Sequence, residues 1–301
     1  MLRRGEVRRA GPGGHLRAMA SERVEAGERF LLLLAPRDAE LLRQSGSDPD
    51  RPAARARLPI LFEDEHMLAF DKPAGTPAHP GSGHPLDGTV LGALLAYTGC
   101  PKGGFRPSLV GRLDRDASGV QLAGVSLAGL RGIEALSRSR QIRKLYLALV
   151  RDPGLPRCGQ IDAPLVDLGS GRARMRAVRP EVARDPEQVR NTLPAETAFR
   201  VLNRVSGLAL LEVEPRTGRR HQIRSHLASA GAPLAGDSRY GRPDLNRELA
   251  RRCGLRRLFL HCARVELPHP VTGRRLRIDS PLPPELSSAL EALGIPRRPR
   301  R

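Results

Sequence analysis

The string Gly111-Arg112-Leu113-Asp114-Arg115-Asp116-Ala117-Ser118-Gly119 sets one carboxylate, Asp114, between two arginines and just ahead of a Ser-Gly turn. Leu109 and Val110 precede it and Val120, Leu122 and Val125 follow, so the carboxylate is delivered from the end of a strand. A fixed, ionised carboxylate can act as a nucleophile or a base. Arg-Leu-Asp alone is a common triplet, and a polar turn between buried strands explains it as well; the nine-residue string is more specific.

Three further segments carry side chains able to serve such a site. In Arg216-Thr217-Gly218-Arg219-Arg220-His221-Gln222-Ile223-Arg224-Ser225-His226-Leu227, Gly218 turns the chain out of a strand ending near Pro215, and Thr217 is the expected helix cap. Ile223, Leu227 and Ala230 would face the core, and Gly231 would end the helix. Arg220 and Arg224 lie four apart on another face, with His221 beside them. Such a helix start offers N–H groups, a positive dipole end and guanidinium groups to a phosphate; a solvated basic face is the plainer reading. His221 and His226 are five apart, not the i, i+4 of metal ligands, and read as hydrogen-bonding residues. In Lys144-Leu145-Tyr146-Leu147-Ala148-Leu149-Val150, strand alternation puts Lys144, Tyr146 and Ala148 on one side. Tyr146 is then either an amphipathic residue on a sheet surface, a base-stacking ring or a proton acceptor. Asp71 to Gly83 is a Pro/Gly-rich loop after a strand, and its composition leaves its role open.

The elements that must position these groups are mostly strands. Strand patterns cover Leu58–Asp64, Met67–Pro73, Lys144–Val150, Glu196–Val201, Leu208–Val213, Arg257–Leu267 and Arg274–Ile278, with a hairpin around Pro268–Gly273. Leu86 to Tyr97 has helical spacing. Strands clustered with a few helices, without regular βαβ alternation, predict an α+β fold with a mostly antiparallel sheet. The organisation expected is a small unit over residues 1–35, a linker over 36–57, a main domain over 58–295 and a basic tail over 296–301. The small unit is read as a helix end running through Gly5 into a short strand, then a turn at Ser21–Arg29 and a final strand from Phe30.

The charge names the class of partner. Fifty-one basic against 32 acidic residues leave 301 residues with a net charge of +19, which favours a polyanion through phosphate neutralisation and counterion release. Lys72, Lys102 and Lys144 are the only lysines; the abundance of Ala, Gly, Pro and Arg together points to coding bias rather than to a functional choice of arginine. Cys100, Cys158, Cys253 and Cys262 form no C-x-x-C pair, so zinc-ribbon and redox motifs are excluded and free thiols in a reducing cytoplasm are expected. No apolar run has membrane-spanning length, and no signal peptide is visible.

Taken together the segments resemble the RluA family of pseudouridine synthases. ILFEDEHMLAFDKPAGTPAHPGSG, GRLDRDASGV, RKLYLALV, RTGRRHQIRSHLASAGAPLAGDSRYG and RLFLHCARVELPHPVTGRRLRIDSPLP follow the family's motifs in order, and GDSRYGRPDLN with the PGSG loop is most similar to the RluC branch. LRRGEVRR and ERVEAGERFLLL resemble the second half of the small αL-type RNA-binding module that precedes many of these enzymes. The resemblance implies a bent, mixed, largely antiparallel sheet with flanking helices and an active-site cleft across it. It implies Asp114 as catalytic nucleophile, Tyr146 as the family tyrosine and Arg224 as the arginine pairing with the catalytic carboxylate. Arg112, Lys144, Arg220, His221 and Gln222 are the substrate- and RNA-binding candidates. Two positions depart from the family pattern: Gly111 stands where His is usual, and Ala117 where Thr is usual.

The activity implied is isomerisation of specific uridines, with no cofactor and no metal, by a cytoplasmic monomer acting on structured RNA, large-subunit ribosomal RNA or a ribosome precursor. Transfer RNA is the alternative substrate. A non-catalytic RNA-binding or ribosome-assembly factor on the same fold is the alternative class, and a general basic DNA-binding protein is a third reading without helix-turn-helix or zinc spacing to support it.

Overall fold

Short apolar runs make strands the commonest regular element among the described residues. The computed structural model describes residues 6–11, 14–17, 30–33, 58–80, 86–99, 104–167, 175–177 and 192–296. The chain divides into two units, residues 1–51 and 52–301. In the first, β1 (Glu6–Gly11) pairs antiparallel with both β2 (Gly14–Arg17) and β3 (Phe30–Leu33). The helix end expected before Glu6, the turn at Ser21–Arg29, the linker over 36–57 and the tail beyond Pro296 lie outside the described residues.

The second unit is built on one large mixed sheet. Its strands are β4 (Ile60–Glu63), β5 (Met67–Lys72), β6 (Ser108–Val110), β7 (Ser118–Gly124), β8 (Arg143–Arg151), β9 (Cys158–Asp162), β13 (Glu196–Val205), β14 (Leu208–Pro215), β15 (Leu260–Pro268) and β16 (Arg275–Asp279). The order is β4-β5-β7-β15-β8-β14-β13-β9, with β6 beside β7 and β16 beside β15. Among the described residues every pair in it is antiparallel except β7 with β15, where His261 and Cys262 lie opposite Ser118 and Gly119. β10 (Leu165–Asp167), β11 (Met175–Ala177) and β12 (Thr192–Leu193) form a small separate sheet. The helices are α1 (Val90–Thr98), α2 (Leu127–Arg138), α3 (Gln222–Ser229), α4 (Pro243–Cys253) and α5 (Pro284–Ala292). None is long and apolar enough to cross a membrane.

Period-two patterning decides which face each side chain buries. On β8, Tyr146, Ala148 and Val150 enter one core cluster, while Leu149 enters another with Leu249 of α4 and Leu286 and Leu290 of α5. On β5, Met67 and Ala69 join the first cluster, and Leu68 and Phe70 pack with Val90 and Leu94 of α1. Both faces are covered, so these strands read as near-continuous apolar runs. The helical pattern at Leu86 resolves into a 3-10 turn, Leu86–Gly88, then α1, whose N-cap Thr89 Oγ1 accepts from Gly92 N at 3.1 Å.

Candidate active site

Asp114 sits on the loop between β6 and β7, and that loop is fixed from three sides. Leu113 is buried, and its N–H donates to Gln121 Oε1 at 3.3 Å, while Gln121 Nε2 donates to the carbonyls of Val110 and Leu122 at 3.1 and 3.0 Å. From β5, fully buried Lys72 donates through Nζ to Pro73 O, Arg115 O and Ala117 O at 2.7, 2.9 and 2.8 Å. Gly75 N–H adds a bond to Arg115 O at 2.8 Å. The Pro/Gly-rich loop whose role the composition left open is therefore the clamp on the Asp114 loop. Burial pushes the Lys72 ammonium down to about 8, against the pull of Asp114 and Asp116. From the far side, Arg257 Nη2 donates to Ser118 Oγ at 2.7 Å, and Ser118 Oγ lies 3.0 Å from His261 Nδ1. Gly119 then packs on β15 so closely that a Cβ there would lie 2.3 Å from Cys262 O.

Arg224, on the first turn of α3, delivers its fork to two carboxylates. Nε and Nη2 grip Asp237 Oδ2 and Oδ1 at 2.8 and 2.9 Å, and Nη1 reaches Asp114 Oδ2 at 3.1 Å. Burial alone would lower the Arg224 pKa, but the pairs with Asp237 and Asp114 override it and hold the guanidinium well above its ordinary value. Asp237 is itself fixed by N–H bonds from Arg239 and Tyr240 at 2.8 and 3.0 Å. Burial works to raise its pKa, and Arg224 with those two N–H groups brings it below the usual value. The Tyr240 ring lies under the Arg224 guanidinium, 5.2 Å to the centroid, and its hydroxyl is 3.0 Å from His221 Nδ1. Burial pushes the His221 imidazole down to about 4, against the pull of Asp114 and with repulsion from Arg224, Arg220 and Arg239, so it is neutral at pH 7.

A cavity of about 840 Å³ opens on this pair, within the ~300–1,000 Å³ range of small-ligand sites. Asp114, Arg224, Tyr146, Lys144, Arg112 and His221 all line it. Tyr146 presents little surface, 7 % exposed. Burial, with a hydrogen bond to Cys262 directly across the β8–β15 pair, raises its hydroxyl pKa well above the ordinary value, so it stands as a neutral phenol. Gly111 has φ +67°, and a Cβ on it would lie 3.3 Å from Lys144 Nζ; a glycine here relieves a left-handed backbone and leaves room for the ammonium. Ala117 is buried in the core beneath the loop.

Two expectations take a different form. Gln222 lines the cavity, but its buried amide is committed to protein: Oε1 accepts from Thr217 Oγ1 and Arg219 N at 2.7 and 3.0 Å, and Nε2 donates to Glu196 O and Thr197 Oγ1 at 2.8 and 3.0 Å. Thr217 is correspondingly not the helix cap. Its hydroxyl also accepts from Glu196 N at 3.0 Å, and α3 starts only at Gln222, after His221 in a left-handed conformation at φ 52°. Arg220 precedes the helix and does not line the cavity. Lys72 and Asp237 were not singled out from sequence, although both stand inside quoted motif segments.

Residues 66–229 match the family model for RNA pseudouridylate synthase. The chain is 37% identical over 296 residues to Ribosomal large subunit pseudouridine synthase C of Escherichia coli (strain K12), covering 97% of this chain and 86% of that protein. It is 40% identical over 245 residues to the protein of the same name from Yersinia pestis, covering 81% and 71%. Among solved structures, Human RNA Pseudouridylate Synthase Domain Containing 4 superposes with a TM-score of 0.63 at 26% identity, covering 78% of this chain and 93% of that one.

Proposed function

From the premise that the chain belongs to the RNA pseudouridylate synthase family, and so is an isomerase, we propose that it converts specific uridines of large-subunit ribosomal RNA to pseudouridine, with Asp114 as the attacking group. The observation that carries the role of Asp114 is its pairing with buried Arg224 at 3.1 Å on the wall of the cavity. In the reaction the N1–C1′ bond of the uridine breaks, uracil turns in place, and a C5–C1′ bond forms. The C5 proton leaves and N1 takes one up, so the product is an isomer of the substrate. The Asp114 carboxylate attacks the ribose or assists departure of the base, and Arg224 keeps it aimed through a charge-assisted bond. A uridine in folded RNA must first be flipped into the cavity, at roughly a few kcal/mol. The neutral Tyr146 phenol supports a stacking role for its ring over proton acceptance. Arg112 and Lys144 offer cations to the flanking phosphates, and the site of action is the cytoplasm.

Mapping pseudouridine in ribosomal and transfer RNA with and without the gene tests the substrate. A position lost from large-subunit RNA supports the reading; loss confined to transfer RNA overturns it. In purified form, Asp114→Asn is expected to abolish isomerisation while RNA affinity stays within a fewfold of wild type. Retained turnover in that variant would remove Asp114 from the chemistry.

A further inference from the structure

Among the described residues, four of the five α-helices end on a glycine in the left-handed conformation: Gly99, Gly231, Gly254 and Gly294. α2 ends instead on Arg140, at φ 58°. The turn is a Schellman motif, in which Arg140 N–H donates to Ser137 O at 3.2 Å and Gln141 N–H to Leu136 O at 2.9 Å. The same pairing closes α3, where Gly231 and Ala232 donate to Ala228 and Leu227 at 3.1 and 2.9 Å. Only backbone groups make these bonds, so the arginine side chain adds nothing to the turn, while an L residue in this conformation is strained.

Arg140 does line the cavity, together with Ser137, Arg138 and Ile142. At this end of the wall the neighbouring basic groups are matched, Arg143 with Glu214 and Glu266 and Arg216 with Glu214, while Arg112, Lys144 and Arg219 line the same cavity without an ion pair among the described residues. Arg138 stands 3.8 Å from Glu134. Arg140 is exposed and has no ion pair among the described residues. The C-terminus of α2, a negative dipole end, is thereby brought to a site for a polyanion behind a screen of cations.

We infer that Arg140 binds a backbone phosphate of the RNA beside the flipped uridine, a contact separate from the Asp114–Arg224 chemistry. The inference rests on the RNA reading above. The test uses the full chain as wild type, Arg140→Gly and Arg140→Lys, with large-subunit ribosomal RNA from a bacterial strain lacking its ribosomal large subunit pseudouridine synthase C. Arg140→Gly should keep or raise Tm, because glycine relieves the turn, yet raise KM severalfold with the loss falling on KM rather than kcat. Its plot of log affinity against log salt should be shallower by about 0.7–0.9, the value of one phosphate contact. Arg140→Lys, which keeps the charge, should hold the wild-type slope. Unchanged KM and slope in Arg140→Gly, a fall in Tm alongside the KM rise, or a slope lost equally in Arg140→Lys would each overturn the inference. A wild type that makes no pseudouridine in this RNA strikes the substrate reading instead, and shows itself before any variant is compared.

Discussion

Arg224 is where the charges of the site meet, and its shape matters more than its charge. Three of its N–H groups are divided between a fully buried carboxylate, Asp237, and the partly exposed Asp114. Only a planar fork can hold one carboxylate by two bonds and still direct a third at another. In Arg224→Lys a single ammonium must choose, and buried Asp237 is the stronger claimant. Turnover is expected to fall on the order of 10²-fold through loss of aim at Asp114. Single-turnover pseudouridine formation measures this, and a rate within twofold of wild type would mean that the fork does not position Asp114. Asp114, Tyr146 and Arg224 stand out in the sequence because each lies in a string that follows the family's motifs, and the structure brings all three to one cavity. Lys72 and Asp237 do not, because an isolated lysine or aspartate reads as a surface residue. What buries Lys72 is a pair of carbonyls 43 and 45 residues away, and Asp237 is held by a guanidinium 13 residues before it.

At the scale of elements, the Asp114 loop is a product of its neighbours. Lys72 ties it to β5, and the pKa of that lysine gives the tie a pH signature. The unfolded chain keeps the lysine charged up to about 10.5, whereas the fold keeps it charged only to about 8. Between those values the unfolded state binds more protons, so stability rises with pH through the window and levels off above it. Lys72→Met should abolish that rise. At pH 7 it should also destabilise by about 2–6 kcal/mol, since Pro73 O and Ala117 O lose this donor at ~1–3 kcal/mol each while Arg115 O keeps the Gly75 N–H. Urea denaturation from pH 7 to 10 measures both; a variant with the wild-type pH dependence would show that another group causes it. On the other side, Gly119→Ala puts a methyl into the Cys262 backbone at a residue with φ +113°. It should cost about 2–4 kcal/mol, read as a lower urea midpoint with an unchanged m-value. Near-continuous apolar runs placed β5, β8 and β14, because each buries both faces. The start of α3 was misplaced for an equally local reason: Thr217 has the chemistry of a cap, but its hydroxyl donates to Gln222 Oε1 and its oxygen accepts from the Glu196 N–H, and sequence spacing does not show that competition.

At the scale of the molecule, the excess of +19 charges predicts binding dominated by counterion release. Affinity for large-subunit ribosomal RNA should fall on the order of 10²-fold or more between 50 and 200 mM salt. Filter binding across that range checks it, and a flat response would mean that phosphates contribute little. The order of the sheet has a different kind of consequence. β15 lies between β7 and β8, yet the ribosome makes it long after both. Until it arrives, β7 and β8 each wait with an open edge, and Ser118 lacks both His261 and Arg257. Domains collect their long-range pairings late in synthesis. The Asp114 carboxylate is thus translated early and its loop completed late: a nascent chain carries Asp114 and Arg224 before Ser118 has its partners, and that last tie forms when one strand slides home.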